Sequence, residues 1–139
     1  MAPKSDINTL CITLDNRITN ITNRQKYHMS ISKSDRPALI LIDIQKAFDN
    51  LEYWGGQRNN LEAENNAGEL LKLWRDNKLP IFHIKHCSSN LTSLLSETNE
   101  GNEFKDIVRP IDGETIIKKN VNSAFIGTDL KERLDKEKI

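Results

Sequence analysis

Residues 38–50 read ALILIDIQKAFDN, and this stretch decides the fold. Five apolar residues run without a break into Asp43. A short, unalternated apolar run is typical of a strand that is buried on both faces of a parallel sheet. Asp43 follows at the carboxyl end of that strand, where open α/β sheets bind their ligands. A carboxylate there indicates either a functional group or the cap of a following helix, and this stretch alone favours neither.

Composition limits the classes of protein to which the chain can belong. Its 139 residues, 37% of them hydrophobic, suffice for one globular domain with a modest core. No run approaches the roughly 18 apolar residues that a membrane span requires. The formal net charge is zero, which argues against binding driven by phosphate contacts. We therefore expect no membrane and no nucleic-acid partner.

The two cysteines, Cys11 and Cys87, do not form a disulfide framework. The three histidines and two cysteines do not have the spacing of a metal-ligand set, so we expect no metal and no cofactor. No apolar segment typical of a secretory leader occurs at the N-terminus. The expected compartment is therefore the cytoplasm.

The first 35 residues differ from the rest of the chain. They are rich in Asn, Thr and Ser and show no sustained hydrophobic period. This composition predicts a flexible N-terminal extension over residues 1–35 that contributes little to the core, with the globular domain over residues 36–139.

A helix and two further strands are predicted after the first strand. Residues 61–78 carry one apolar stripe with helical spacing, and Pro80 ends that segment before a second strand over residues 81–85. Strand, helix and strand form a βαβ unit. A third strand is predicted over residues 115–118, followed by a helix that Thr128 can cap.

Several residues near the strand ends have two interpretations. His83 lies inside the second strand and is predicted to be a packed core imidazole, whereas His86 lies at the strand's end. The neighbouring Cys87 suggests a nucleophile, but adjacent residues of a strand point to opposite faces. Tyr53 and Trp54 either line a pocket or hold their glycine-containing loop in place.

Four segments together resemble the isochorismatase-like cysteine hydrolase superfamily, which includes the nicotinamidases. They are LILIDIQKAFD (39–49), YWGGQRNN (53–60), IFHIKHCSS (81–89) and IIKKNVNSAFIGTDL (116–130), and the last is the most specific. The resemblance covers residues 36–139. It implies a three-layer α/β fold with an open parallel sheet in the strand order 3-2-1-4-5-6 and helices on both faces. Here we expect that fold to be incomplete after its third strand and following helix.

The resemblance also implies roles for individual residues. Asp43 and Lys119 correspond to two members of an Asp-Lys-Cys triad. The residues that correspond to substrate-binding positions are Gln45, Phe48, Trp54, His86, Ser88 and Ser123. Metal-binding nicotinamidases carry an Asp-x-His arrangement after the second strand, where this chain reads His86-Cys87-Ser88, so no metal is implied.

The implied activity is hydrolysis of a C–N or vinyl-ether bond in a small amide-like or related substrate. In the family the nucleophilic cysteine follows a fourth strand, and neither cysteine here matches that position. We therefore expect the N-terminal part of such a hydrolase, inactive as given. The alternative is a non-catalytic remnant that binds a small molecule or a partner subunit. Homo-oligomer formation stays open, and without a fourth strand the first strand becomes a sheet edge prone to self-association.

Overall fold

The computed structural model of the chain describes residues 17–19 and 30–139. Two short strands, β1 (Arg17–Thr19) and β2 (Ser30–Ser32), pair in antiparallel fashion, and a 3₁₀ turn, Lys33–Asp35, follows. The other positions of the predicted extension, 1–16 and 20–29, lie outside the described residues. The prediction that residues 1–35 contribute little to the core therefore stays a prediction.

The main sheet contains the three strands that the sequence predicts. They are β3 (Leu39–Ile42), β4 (Ile81–His86) and β5 (Thr115–Lys119), all parallel and in the order β3-β4-β5. Each boundary differs from its prediction by at most one residue. The order matches the 3-2-1 half of the predicted sheet, which confirms the fold class.

Two helices cover opposite faces of the sheet. Helix α1 (Ala63–Asp76) packs Ala67 and Leu71 against Leu41 of β3. Helix α2 (Leu130–Glu137) packs Leu130 against the other face. The residues that Leu130 meets there are Phe82, Ile84, Ile117 and Ala124. Burial of these apolar faces, at about 25 cal/mol per Å², holds the three layers together.

The start of α2 differs from its prediction. The residue that caps the helix is Asp129, whose side chain makes no capping hydrogen bond. The hydroxyl of Thr128 nevertheless accepts a hydrogen bond from the Leu130 N–H at 3.3 Å and donates to the Ala124 C=O. Thr128 therefore stabilises the turn that precedes the helix, one residue before the cap position, because its hydroxyl bonds the backbone locally.

A buried polar cluster links β4 to α1. His83 is fully buried, as predicted for a core imidazole, and its Nε2 lies 2.8 Å from Glu114 Oε2. Arg75 of α1 donates two hydrogen bonds to the same carboxylate. The Arg75 hydrogen bonds, aided by the Ile111 N–H and His83, outweigh burial and lower the pKa of Glu114 to about 2. The carboxylate is thus held in its charged form.

One long edge of the main sheet is open among the described residues. Strand β3 pairs with β4 alone, so its other side has no neighbouring strand. Ile42, at the end of β3, is 49% exposed. Among the helices of the described residues, none has both the length and the apolar character to cross a bilayer.

Candidate active site

Asp43 and Lys119 meet at the carboxyl edge of the sheet. Asp43 directly follows β3, and Lys119 is the last residue of β5. The Lys119 ammonium donates a hydrogen bond to Asp43 Oδ2 with an Nζ–Oδ2 distance of 2.7 Å. The carboxyl ends of parallel strands lie at one edge, so the sequence predicts an approach of about 4 Å. The structure confirms that the two charges are in contact.

The Lys119 ammonium is enclosed by acceptors. Its side chain is only 2% exposed. Besides Asp43, its Nζ lies 3.3 Å from the Val121 C=O and 3.4 Å from His86 Nδ1. A buried charge is retained only with a partner and further hydrogen bonds. The Asp43 carboxylate is therefore what allows a lysine to lie at this depth.

Asp43 has an unusual backbone and a free oxygen. Its φ of +57° lies in the left-handed region, which non-glycine residues adopt at a cost of roughly 1–3 kcal/mol. Its Oδ1 is buried and has no hydrogen-bond partner among the described residues. Strain of this kind persists where the surrounding structure enforces it, often at functional sites. One carboxylate oxygen thus holds Lys119 while the other stays free to accept a proton.

A crevice of about 320 Å³ opens beside Asp43. Phe48 and Trp54 form an aromatic wall, with ring centroids 4.8 Å apart and an interplanar angle of 30°. The Trp54 indole N–H donates to the Ala47 C=O at 2.9 Å, although the side chain stays 42% exposed. The two aromatic residues predicted for the site therefore lie in one crevice with the carboxylate.

The same crevice contains a cluster of charged side chains that the sequence did not predict. Lys105, only 6% exposed, donates a hydrogen bond to Glu64 at 2.6 Å and also bonds Asp49. Arg58 pairs with the same Glu64 carboxylate. Burial raises the pKa of Glu64, but the hydrogen bonds from Lys105 and Arg58 outweigh it and lower the pKa overall. Lys105 and Glu64 follow no strand, so the strand-end criterion did not identify them.

Gln45, predicted to bind substrate, lies away from the crevice. Its side chain is fully buried. The amide accepts from the His86 N–H at 2.8 Å and donates to the backbone C=O of His86 and of Asn102, at 3.0 and 2.8 Å. Since these bonds engage the amide inside the protein, the geometry does not support a substrate contact by Gln45.

The three remaining predicted substrate residues are placed differently. His86 lies beside Lys119, at the ion pair. The hydroxyl of Ser88 accepts from the Asn90 N–H, and that of Ser123 accepts from the Phe125 N–H, both at 3.2 Å. Neither serine lines the crevice. The structure therefore brings His86 to the site, and the substrate-binding roles of all three stay predictions.

Cys87 is joined to Lys119 through the backbone, because its N–H donates to the Lys119 C=O at 2.7 Å, while its thiol bonds another residue. Its Sγ accepts a long hydrogen bond from Asn102, at 3.7 Å. Burial raises the pKa of the thiol, and Glu97 adds to that effect. A raised pKa disfavours the thiolate that a nucleophile requires. Within the described residues, no group of three or more His, Cys, Asp or Glu side chains is arranged to hold a metal ion.

Comparison with known proteins identifies the family of the chain. The family model of the isochorismatase domain matches residues 37–139. The uncharacterized isochorismatase family protein YrdC of Bacillus subtilis (strain 168) is 47% identical over 100 residues, which cover 72% of this chain and 52% of that protein. A second protein of that strain, YddQ, is 34% identical over 104 residues, which cover 72% of this chain and 56% of YddQ.

A solved structure agrees with this assignment. The crystal structure of an isochorismatase-family protein from Chromobacterium violaceum superimposes with a TM-score of 0.71 at 42% identity, covering 75% of this chain and 53% of that one. The chain spans about half the length of the curated relatives it matches. It belongs to the isochorismatase family.

Proposed function

We propose that this member of the isochorismatase family carries the acid–base part of a cysteine hydrolase site, with Asp43 as the base and Lys119 as its cation. One observation supports this most directly. Asp43 presents a buried Oδ1 that has no hydrogen-bond partner in the described part of the chain, while its other oxygen is fixed by Lys119 at 2.7 Å. A general base needs a free oxygen in a defined position, and this carboxylate has one.

The proposed chemistry needs only a thiol and a substrate carbonyl. Asp43 Oδ1 takes the proton from the thiol, and the thiolate attacks the carbonyl carbon of an amide-like bond. The Lys119 ammonium favours the thiolate by its charge and keeps its own protons. The protonated Asp43 then returns the proton to the leaving nitrogen. Water hydrolyses the resulting thioester and frees the thiol, so atoms and charge balance over the cycle.

We propose that Cys87 is not the nucleophile and that the chain as given has no thiol-dependent turnover of its own. The family resemblance places the nucleophilic cysteine after a fourth strand. The largest influences on the pKa of the Cys87 thiol are burial, which raises it, and the hydrogen bond from Asn102, which lowers it, followed by the charges of Glu97, Lys85 and Lys118. Its raised pKa, caused by burial, supports the same conclusion.

The crevice supports a small substrate with a flat group. The stacked rings of Phe48 and Trp54 offer a face to another planar group, beside the Asp43 carboxylate. A volume of about 320 Å³ lies at the low end of small-molecule sites. We propose a small amide-like or related substrate, and the cytosol as the compartment, because that environment keeps a reactive thiol reduced.

The first experiment measures ammonia release from nicotinamide. The chain alone, and its Cys87→Ser variant, should show no release above the buffer background. Turnover that Cys87→Ser abolishes would overturn the assignment of Cys87.

In the same assay, an added small thiol such as 2-mercaptoethanol should increase ammonia release by the wild-type chain. Asp43→Asn, which keeps the shape of the side chain but is not basic, should lose that increase. Equal rates with wild type and Asp43→Asn would overturn the role of Asp43 as base.

A non-catalytic binding role is the alternative, and the exposed aromatic wall of the crevice favours it. The chain has two tryptophans, and Trp74 is 4% exposed with its indole N–H bonded to the Pro37 C=O. In a Trp74→Phe background, Trp54 reports ligand binding at the crevice by its fluorescence. Saturable quenching by nicotinamide, with no added-thiol effect on ammonia release, would favour binding over catalysis.

A further inference from the structure

The hydrogen-bond ladder between β3 and β4 stops at Asp43. The N–H groups of Leu39 and Asp43 donate to the C=O groups of Pro80 and Ile84, both at 2.9 Å. Alternate residues of β3 therefore face β4, as in any parallel pair. The next two ladder bonds would join the His86 N–H to the Asp43 C=O and the Gln45 N–H to the His86 C=O.

Both of those bonds are replaced. The left-handed φ of Asp43 turns the backbone away from β4. The chain then bridges a different segment, with Gln45 opposite Phe104 and the Lys105 N–H donating to the Ile44 C=O at 3.1 Å. The Gln45 side chain takes over the vacated positions. Its Oε1 accepts from the His86 N–H at 2.8 Å, and its Nε2 donates to the His86 C=O at 3.0 Å.

We propose that Gln45 is the positioning residue for Asp43: its side-chain amide substitutes for the strand backbone and so permits Asp43 to leave β3 in a left-handed turn towards Lys119. A primary amide carries the same donor and acceptor as a peptide group. Glutamate has no donor when ionised, and asparagine is one methylene shorter. Without this replacement, the His86 N–H would be left unpaired and its C=O would keep only the Asn102 side-chain N–H, and an unpaired buried backbone group costs free energy.

Asn102 fixes the amide in its orientation. Its C=O accepts the second N–H of Gln45 at 2.8 Å, and its own side-chain NH₂ donates to the His86 C=O at 2.8 Å. Rotating the Gln45 amide by half a turn would place its NH₂ against the His86 N–H and its oxygen against two carbonyls. The buried amide therefore has a single favourable orientation. His86 is held in place, and its ring lies beside Lys119.

The positioning role of Gln45 rests on the proposed function only in that Asp43 is taken to be the base. The test measures backbone conformation, so it can fail or succeed whatever the ammonia assay shows. In isotope-labelled wild-type chain, through-hydrogen-bond NMR couplings should link the His86 amide nitrogen to the Gln45 side-chain carbonyl carbon, and the Gln45 side-chain nitrogen to the His86 carbonyl carbon. Absence of both couplings, with fast solvent exchange of the Gln45 NH₂ group, would overturn the proposal without any variant.

Variants then test the consequence for Asp43. In Gln45→Leu, the HN–Hα coupling and the Cα and Cβ shifts of Asp43 should change from left-handed to extended values. In Gln45→Glu, which keeps the acceptor for the His86 N–H and loses the donor to the C=O groups of His86 and Asn102, the left-handed population of Asp43 should fall in part. The matched control is Leu134→Ala, a destabilising change on α2 at the opposite face of the sheet, which should leave the Asp43 signals unchanged. A left-handed Asp43 in folded Gln45→Leu, or an equal change in Leu134→Ala, would overturn the proposal.

Discussion

Removing either member of the ion pair should destabilise the protein by very different amounts. The Lys119 side chain is 2% exposed, whereas that of Asp43 is 29% exposed. Truncating one partner leaves the other charge behind, and the cost depends mainly on whether that charge can reach water. We therefore expect Asp43→Ala to cost far more than Lys119→Met, although both remove the same contact.

The magnitude follows from what remains in each variant. In Asp43→Ala the buried ammonium keeps only the Val121 C=O and His86 Nδ1, at 3.3 and 3.4 Å. Leaving a buried charge without its partner costs about 3–5 kcal/mol, and these weak contacts place the expectation near 3 kcal/mol. Lys119→Met keeps most of the side-chain volume and leaves a carboxylate whose side chain is 29% exposed, although one of its oxygens is buried. Its expected cost is about 1–2 kcal/mol.

Two further substitutions separate the charge from the backbone. Glycine adopts a φ of +57° without strain, so Asp43→Gly should cost about 1 kcal/mol less than Asp43→Ala. Asparagine tolerates the left-handed region and its side-chain oxygen can still accept from Lys119. Asp43→Asn should therefore be the mildest change at this position.

The assay is urea unfolding at pH 7, followed by circular dichroism at two protein concentrations to detect association. The expected order of unfolding free energy, from highest to lowest, is wild type, Asp43→Asn, Asp43→Gly and Asp43→Ala. Lys119→Met should lie well above Asp43→Ala. If Lys119→Met costs as much as Asp43→Ala, the ammonium is not the group that burial penalises, and this explanation of the site is wrong.

Three other predictions follow from the fold. The hydrogen bonds from Arg75 lower the pKa of Glu114 from 4.5 to about 2, so this carboxylate should add roughly 3 kcal/mol to the free energy of unfolding above pH 4.5. That contribution should be lost as the pH falls towards 2. In Glu114→Gln, the free energy of unfolding should therefore depend less on pH over this range. Ile42→Lys at the open edge of β3 should reduce self-association in analytical ultracentrifugation, whereas Ile111→Lys, at a somewhat more exposed residue in the loop before β5, should not. Trimming residues 1–35 should leave the thermal transition almost unchanged, and a large loss of stability would show that the extension packs.

The parts of the fold that sequence could predict are those that depend on local pattern. An unbroken apolar run predicts β3, which is buried on both faces, and apolar residues with a 3.6-residue period predict α1, which is buried on one face. The contact between Asp43 and Lys119 follows from the same patterns, since the carboxyl ends of parallel strands share an edge. The charged group of Lys105, Glu64 and Asp49 has no such pattern. Lys105 is 41 and 56 residues from its two partners, so tertiary packing alone brings them together.

Gln45 shows why the spacing of residues in a motif does not determine what each side chain contacts. The family resemblance assigns Gln45, two residues after Asp43, to substrate binding. In a continuous strand these two side chains would share one face, but the left-handed turn at Asp43 ends the alternation. Aspartate adopts a positive φ more often than most non-glycine residues, but most aspartates do not, so the sequence alone did not indicate the turn at Asp43. The turn sends the carboxylate to Lys119 and the amide to the end of β4. On the proposals made above, the spacing of the two residues belongs to a single backbone feature, in which Asp43 is the proposed base and Gln45 replaces the hydrogen bonds that the turn removes.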